Sequence, residues 1–282
     1  MVSEQFEVTL KKAVGGDASS LNFLIKEIQD KVYNLAVRML KNPHDAEDAT
    51  QEIIIRVIQN LGSFQGRSRF STWVYKIASN YLLTTQKRQA ELLGITFEFI
   101  NKHLEAGGKV PIDHTISEPD RELLAHEVKI HCTHSMLLCL DRNLRLAFIL
   151  KIILNIDSKQ GAEILGITPE AYRKRVSRGR KLVSEFVMGK CGHINKENPC
   201  RCKRRVEFAL RKKVIDSGKL PYISQGIESD NKIIRTYANE VEKLDEVTTV
   251  YRSNPYYKST GILSEKIKEL IVSGEFSILV AP

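Results

Sequence analysis

Four residues in the last third of the chain have the types and spacing of a metal site. The segment CGHINKENPCRC sets Cys191 two residues before His193 and Cys200 two residues before Cys202. Zinc takes four soft or borderline donors in a tetrahedron, and these two pairs would supply them. Asn198–Pro199 favours a turn that brings the pairs together. The interval is not a common zinc-finger spacing, so reduced thiols or a redox-sensitive site stand beside a structural zinc as readings of the same residues. No other cofactor is required. His126, His131, Cys132, His134 and Cys139 also crowd together, but helical spacing scatters them around an axis among apolar neighbours, which reads as packing.

The remaining reactive groups form charged faces rather than catalytic sets. No Gly-rich phosphate loop, Ser/His/Asp signature or HExxH occurs, so the chain is not read as an enzyme. Asp45, Asp48, Gln51 and Glu52 make an acidic and amide face suited to the basic side chains of a partner helix. Phe64, Arg67, Arg69, Phe70, Trp73, Lys76, Asn80, Lys87 and Arg88 combine aromatic rings with cations, the mixture that binds single-stranded nucleic acid. Arg173, Lys174, Ser177, Arg178 and Lys181 form a basic helix face. Each face has a bland alternative, the solvated side of an amphipathic helix, and Trp73 reads equally well as core.

The elements that must carry these residues are helical throughout. Leu21, Leu24, Ile28, Val32, Leu35 and Met39 recur at helical spacing, and Asn42–Pro43 ends that helix. Ala46, Ala49, Ile53, Val57 and Leu61 share one side of the next. Phe70, Trp73, Ile77 and Tyr81 give a third its apolar stripe, with Ser71 or Thr72 as its cap. Gly94, Gly107–Gly108, Pro111 and Pro119 punctuate a linker that has room for a short helix near Phe97–Leu104. Helical periodicity resumes at Arg121, and LDRNLRLAFILKIILNI reads as one apolar helix. SKQGAEIL is a short helix closed by Gly166, although Gly161 inside it costs about 1 kcal/mol against Ala and predicts a looser helix or a later start. Thr168 caps and Pro169 opens the helix that follows, with Ala171, Tyr172 and Val176 turned inward. A short helix, a Gly turn and a basic helix make a helix-turn-helix pattern. Beyond it, the basic runs Lys203–Arg205 and Arg211–Lys213 either touch DNA or solvate a helix, and Asn231–Val250 and Ser264–Ile271 read as helical.

At 282 residues with 42% hydrophobic content the chain is long enough for two or three small cores, and its net charge of +9 favours polyanionic partners. No apolar run reaches the ~18 residues a membrane helix needs, and MVSEQFEVTLKK lacks a secretory apolar core. Five cysteines, three of them within Cys191–Cys202, suit reduced thiols or a metal better than a disulfide scaffold. Together these read as a cytoplasmic chain with no membrane partner.

The order within Asp45–Arg88, an acidic Gln-ended face, then F-x-G-x-S-x-F-x-T-W, then a basic end, resembles the second conserved region of extracytoplasmic-function sigma factors. Leu140–Phe186 resembles the fourth conserved region of the same family. The resemblance implies an all-α fold: a helical domain over 1–90, a linker over 91–120 and a helix-turn-helix domain over 121–188, with 189–282 an extension outside the family pattern. It implies that Asp45, Asp48, Gln51 and Glu52 meet the clamp helices of the core RNA polymerase β′ subunit. The set from Phe64 to Arg88 would receive the −10 promoter element, with one base flipped into the loop. Thr168, Arg173, Lys174, Ser177, Arg178 and Lys181 would read the −35 element. An anti-sigma factor is a further partner that the sequence leaves open. The family's usual Glu-Ile-Ala is Gln160–Gly161–Ala162 here, its frequent Arg-Asn is Ser79–Asn80 and its frequent Asp is Thr84. These departures bear on the preferred −10 sequence more than on the role. A helix-turn-helix regulator that binds DNA without polymerase would account for Leu140–Phe186 but not for the acidic face and loop before it.

Overall fold

The computed structural model describes residues 4–223 and 246–272. Of the expected helix over 231–250, the part over 231–245 lies outside the described residues. The described fold is all-α, with no strand among the described residues.

The first helices are α1 (Glu4–Val14), α2 (Ala18–Leu40) and α3 (Pro43–Gln59). Asp17 caps α2 by accepting from the Ser20 N–H at 2.7 Å. Lys41 leaves α2 with a left-handed φ of 66°. Pro43 therefore opens α3 rather than merely ending α2, and the Asn42 side chain caps α3 through His44 and Asp45. All six predicted α2 positions are buried, and so are Ala46, Ala49, Ile53, Val57 and Leu61.

After a 3-10 turn at Leu61–Ser63 comes α4 (Phe70–Thr84). Two expectations fail here. Arg69 occupies the cap position with no side-chain hydrogen bond, so neither Ser71 nor Thr72 caps the helix; both already lie within its first turn. The buried stripe is Phe70, Val74, Ala78 and Leu82, while Trp73, Ile77 and Tyr81 are only half-buried. Both stripes are apolar, and the packing of α4 on its neighbouring helices selects the first.

The expected linker contains α5 (Gln89–Leu92) and α6 (Phe97–Gly107), followed by α7 (Glu118–Leu138). It is held to its surroundings by buried charge. Glu91 meets Arg142 at 2.6 Å and Arg145 at 3.0 Å. Burial would raise the Glu91 carboxyl, but the hydrogen bond from Arg142 and the charge of Arg145 outweigh it and hold it below its ordinary value.

The apolar stretch after α7 is not one helix. It forms α8 (Arg142–Phe148), a π-helical turn at Ile149–Ile153 and a left-handed Asn155. Next come α9 (Ser158–Leu165) and α10 (Pro169–Lys190). The extension contributes a 3-10 turn at Cys202–Arg205, α11 (Val206–Arg211), α12 (Glu246–Arg252) and α13 (Gly261–Val272). The turn and α11 pack on α7, α12 on α10 and the π turn, and α13 on α2 and α3. One continuous apolar core runs from Ala13 through Ile267, joining both sequence regions and the extension.

Candidate nucleic-acid and polymerase interface

Capping and periodicity present the acidic face of α3 to solvent. With Ala46, Ala49 and Ile53 turned inward, Glu52 is exposed and Asp45, Asp48 and Gln51 are half-exposed. His44 Nδ1 lies 3.3 Å from Asp48 Oδ2, one turn away, on this same surface.

The loop after α3 turns at Gly66, whose φ of 67° favours glycine, and leaves Arg67 and Arg69 exposed. Beneath it the rings pack in a cluster. Phe70 stacks on Trp73 with centroids 5.7 Å apart, and Phe64 approaches each at 5.4 Å. Phe6 from α1 joins at 5.4 Å from Phe70, a member that motif reading missed because it lies some sixty residues away in sequence. Phe70 is buried, so Phe64 and Trp73 are the half-exposed rings of the predicted set. Trp73 packs on Phe70 and also lines an open groove of about 350 Å³. Lys76 and Asn80 line that groove with Arg56 and Asn60 of the α3 end. The Arg56 guanidinium sits 4.9 Å above the Tyr81 ring. Its place on the polar side of α3, one turn after Glu52, was the available signal for it. Lys87 is exposed and Arg88 half-buried beyond the end of α4.

In the helix-turn-helix unit Asp157 caps α9, and Gly166 ends it with a left-handed φ of 61°. The Thr168 hydroxyl accepts from the Ala171 N–H at 3.1 Å, so it caps α10. Tyr172 is fully buried and Val176 half-buried, which leaves Arg173, Lys174, Ser177, Arg178 and Lys181 exposed on one side. Lys174 reaches Glu170 at 2.8 Å, and Lys181 lies 3.8 Å from Glu185, both on the helix surface. Gly161 does not loosen α9, which is helical from Ser158. A Cβ there would stand 2.2 Å from Tyr172 Cζ, so the glycine makes room for the ring.

The Cys/His segment folds as a knuckle after α10. Cys191 and Cys200 face each other across an isolated β-bridge, and Cys202 Sγ lies 3.4 Å from His193 Nε2. Asn198 fastens the turn by donating to Met188 O at 2.9 Å and Cys191 O at 3.3 Å. Burial, and then the neighbouring Cys200 and Cys191, push the Cys202 thiol up to about 12. Cys132 of α7 is likewise pushed up by burial and by the thiols of Cys202, Cys200 and Cys191. The donor set suits zinc and two of its members touch, but among the described residues no three such side chains converge on one point. Of the basic run beside it, Arg204 is exposed and the other two residues are paired within the chain. Lys203 pairs with Glu118 and Glu122, and Arg205 is buried against the carbonyls of His103 and Leu104.

Comparison with known proteins matches residues 24–91 to the family described as Sigma-70 region 2 and residues 130–183 to Sigma-70, region 4. The chain is 29% identical over 179 residues to the ECF RNA polymerase sigma factor SigW of Bacillus subtilis, covering 61% of this chain and 91% of that one. It is 29% identical over 192 residues to the ECF RNA polymerase sigma-E factor of Escherichia coli, covering 66% and 97%. A solved structure titled "Structure of CnrH in complex with the cytosolic domain of CnrY" aligns at 17% identity with a TM-score of 0.45, covering 64% of this chain and 96% of that one.

Proposed function

As the chain belongs to the extracytoplasmic-function sigma factors, which direct promoter-specific transcription initiation by core RNA polymerase, we propose a division of that work among its exposed faces. This is not an enzyme family, and the work is binding. Asp45, Asp48, Gln51 and Glu52 dock on the clamp helices of the polymerase β′ subunit. The groove of Trp73, Lys76 and Asn80, joined by Arg56 and Asn60, takes a base of the opened −10 strand, with Phe64, Arg67, Arg69, Lys87 and Arg88 along the strand's path. Stacking on an aromatic ring and cation contact to phosphate are the terms that bind such a strand. Arg173 and Lys174 read −35 base edges in the major groove, while Ser177, Arg178 and Lys181 hold phosphates. Thr168 acts through the cap it gives α10.

What carries this reading is the exposed basic side of α10, set directly after the Gly166 turn in a chain that also exposes an acidic face on α3. Its setting is the cytoplasm, where core polymerase works; among the described residues no helix is long and apolar enough to cross a membrane. The test is co-purification with core polymerase, followed by run-off transcription from a duplex selected from a library randomised across both elements. DNA binding without polymerase, and no selected promoter, would replace this reading with a self-sufficient helix-turn-helix regulator. The same co-purification from cells tests for an anti-sigma partner.

The knuckle supports a separate proposal, one structural zinc held by Cys191, His193, Cys200 and Cys202. A segment this rich in Lys and Arg buries little apolar area, and a metal would supply the missing cross-link. Elemental analysis of untagged protein checks it. Absence of stoichiometric metal, with the three thiols of the knuckle open to titration, would leave reduced thiols or a redox site.

A further inference from the structure

The two promoter-reading units touch each other in this structure: α4, which carries the −10 groove, packs directly on α9 of the helix-turn-helix. Packed helix axes lie about 8–10 Å apart. The two promoter elements are separated by roughly 25 base pairs, about 85 Å of duplex at ~3.4 Å per pair. One arrangement cannot serve both elements, so the units must part before the chain engages a promoter.

A segment from the extension bonds to both units at once. On the α2 side, Tyr257 donates its N–H to Asn34 Oδ1 at 3.0 Å, and Arg38 donates to Pro255 O at 3.2 Å. Ser259 donates its N–H and its hydroxyl to Asp30 Oδ1 at 3.0 and 2.7 Å. Gln29 donates to Ser264 Oγ at 2.8 Å. On the other side, Asn254 donates to Thr133 Oγ1 at 2.8 Å and Tyr251 to Thr133 O at 3.2 Å, while Arg252 donates to Ile152 O at 2.9 Å. The Tyr257 hydroxyl lies 3.2 Å from His134 Nε2. Asn34, Tyr251 and Tyr257 are all essentially inaccessible to solvent. The α2 partners fall within the matched region 2, and Thr133, His134 and Ile152 within the matched region 4.

We propose that residues 251–264 are a built-in clasp that holds the two promoter-reading units closed, so that the free chain is autoinhibited and the clasp must release for initiation. The proposal rests on the sigma-factor reading. A segment that merely stabilised the fold would lower activity when loosened; a clasp raises it.

The test uses the full chain with Ser259→Glu, which sets a carboxylate beside Asp30 at a half-exposed site and leaves the core intact. Asp30→Lys combined with Ser259→Glu rebuilds the contact as an ion pair. Small-angle scattering gives the radius of gyration, and run-off transcription with core polymerase on a library-selected promoter gives the activity. Ser259→Glu should expand the chain and raise transcript yield at limiting protein by about fivefold or more, and the double variant should return both toward wild type. Wild-type activity in Ser259→Glu, with or without expansion, overturns the clasp alone. Reduced activity that the double variant restores also overturns it, because the contact would then be a support. Failure of every variant to bind core polymerase overturns the sigma-factor reading, and the clasp with it.

Discussion

The ring of Tyr172 occupies the space that a side chain at position 161 would need. A Cβ on Gly161 would lie 2.2 Å from Tyr172 Cζ and 2.5 Å from its hydroxyl oxygen. The contact sets α9 against α10 and so fixes the angle at which the basic face is presented. Helix propensity favours alanine over glycine in α9 by about 1 kcal/mol, yet the clash has the opposite sign. Gly161→Ala should destabilise the chain by about 1–3 kcal/mol, the usual cost of overpacking, in a urea titration. A gain in stability would show that the ring can move aside.

Asp48→Arg with Glu52→Arg should abolish binding to core polymerase while changing stability by less than about 0.5 kcal/mol each, since neither side chain is buried. Pull-down and thermal melting of the same preparations separate the two effects. Unchanged co-purification would remove the acidic face from the docking surface.

Arg173 and Arg178 are both exposed on α10 but differ in assigned role. Arg173→Ala should relax preference at one −35 position, at about 1–3 kcal/mol against the favoured base. Arg178→Ala should weaken all sequences alike and reduce the salt dependence of binding. Measuring both variants against a panel of −35 duplexes checks the assignment; a uniform loss for Arg173→Ala would cancel its base-reading role.

His134 gives the closed form a pH dependence. Burial first, then the charges of Arg38, His131 and Lys41, hold its imidazole well below the ordinary value. Tyr222 and Tyr257 close over it from the extension, and Glu127 lies on the same helix, where it accepts the backbone N–H groups of Tyr222 and Ile223. Below about pH 6.5 the unfolded imidazole binds a proton that the folded one refuses, so stability falls as pH drops, by up to ~1.4 kcal/mol per unit for this group. Urea midpoints should therefore be lower at pH 5.5 than at pH 7.5. His134→Gln should reduce the difference but not remove it, because His126 and His193 are also lowered by burial. An identical slope in the variant would show that His134 binds its proton equally well in the folded and unfolded chain.

Local chemistry was legible from the residues alone. The buried side of α2, the inward residues of α3, the left-handed Gly166 and the Thr168–Pro169 start of α10 all depend on neighbours within four positions, which the sequence displays directly. The solvent faces follow from them, so the charged residues of α3 and α10 could be named without coordinates.

What needed the tertiary structure depends on partners far along the chain. Phe70, Val74, Ala78 and Leu82 compete with Phe70, Trp73, Ile77 and Tyr81 as apolar stripes of α4, and only the approach of the helices packed on it, α2, α3 and α9, decides between them. Gly161 reads as a weakness until Tyr172 is seen against it. Lys203 and Arg205 read as a surface run until Glu118, Glu122 and the end of α6 claim them. The return of Tyr251–Ser264 across α2 and α7 leaves no periodic trace, because its hydrogen bonds go to groups more than a hundred residues away. Periodicity reports which side of a helix is apolar; burial between helices depends on which apolar side another element reaches, and that is settled only when the chain is folded.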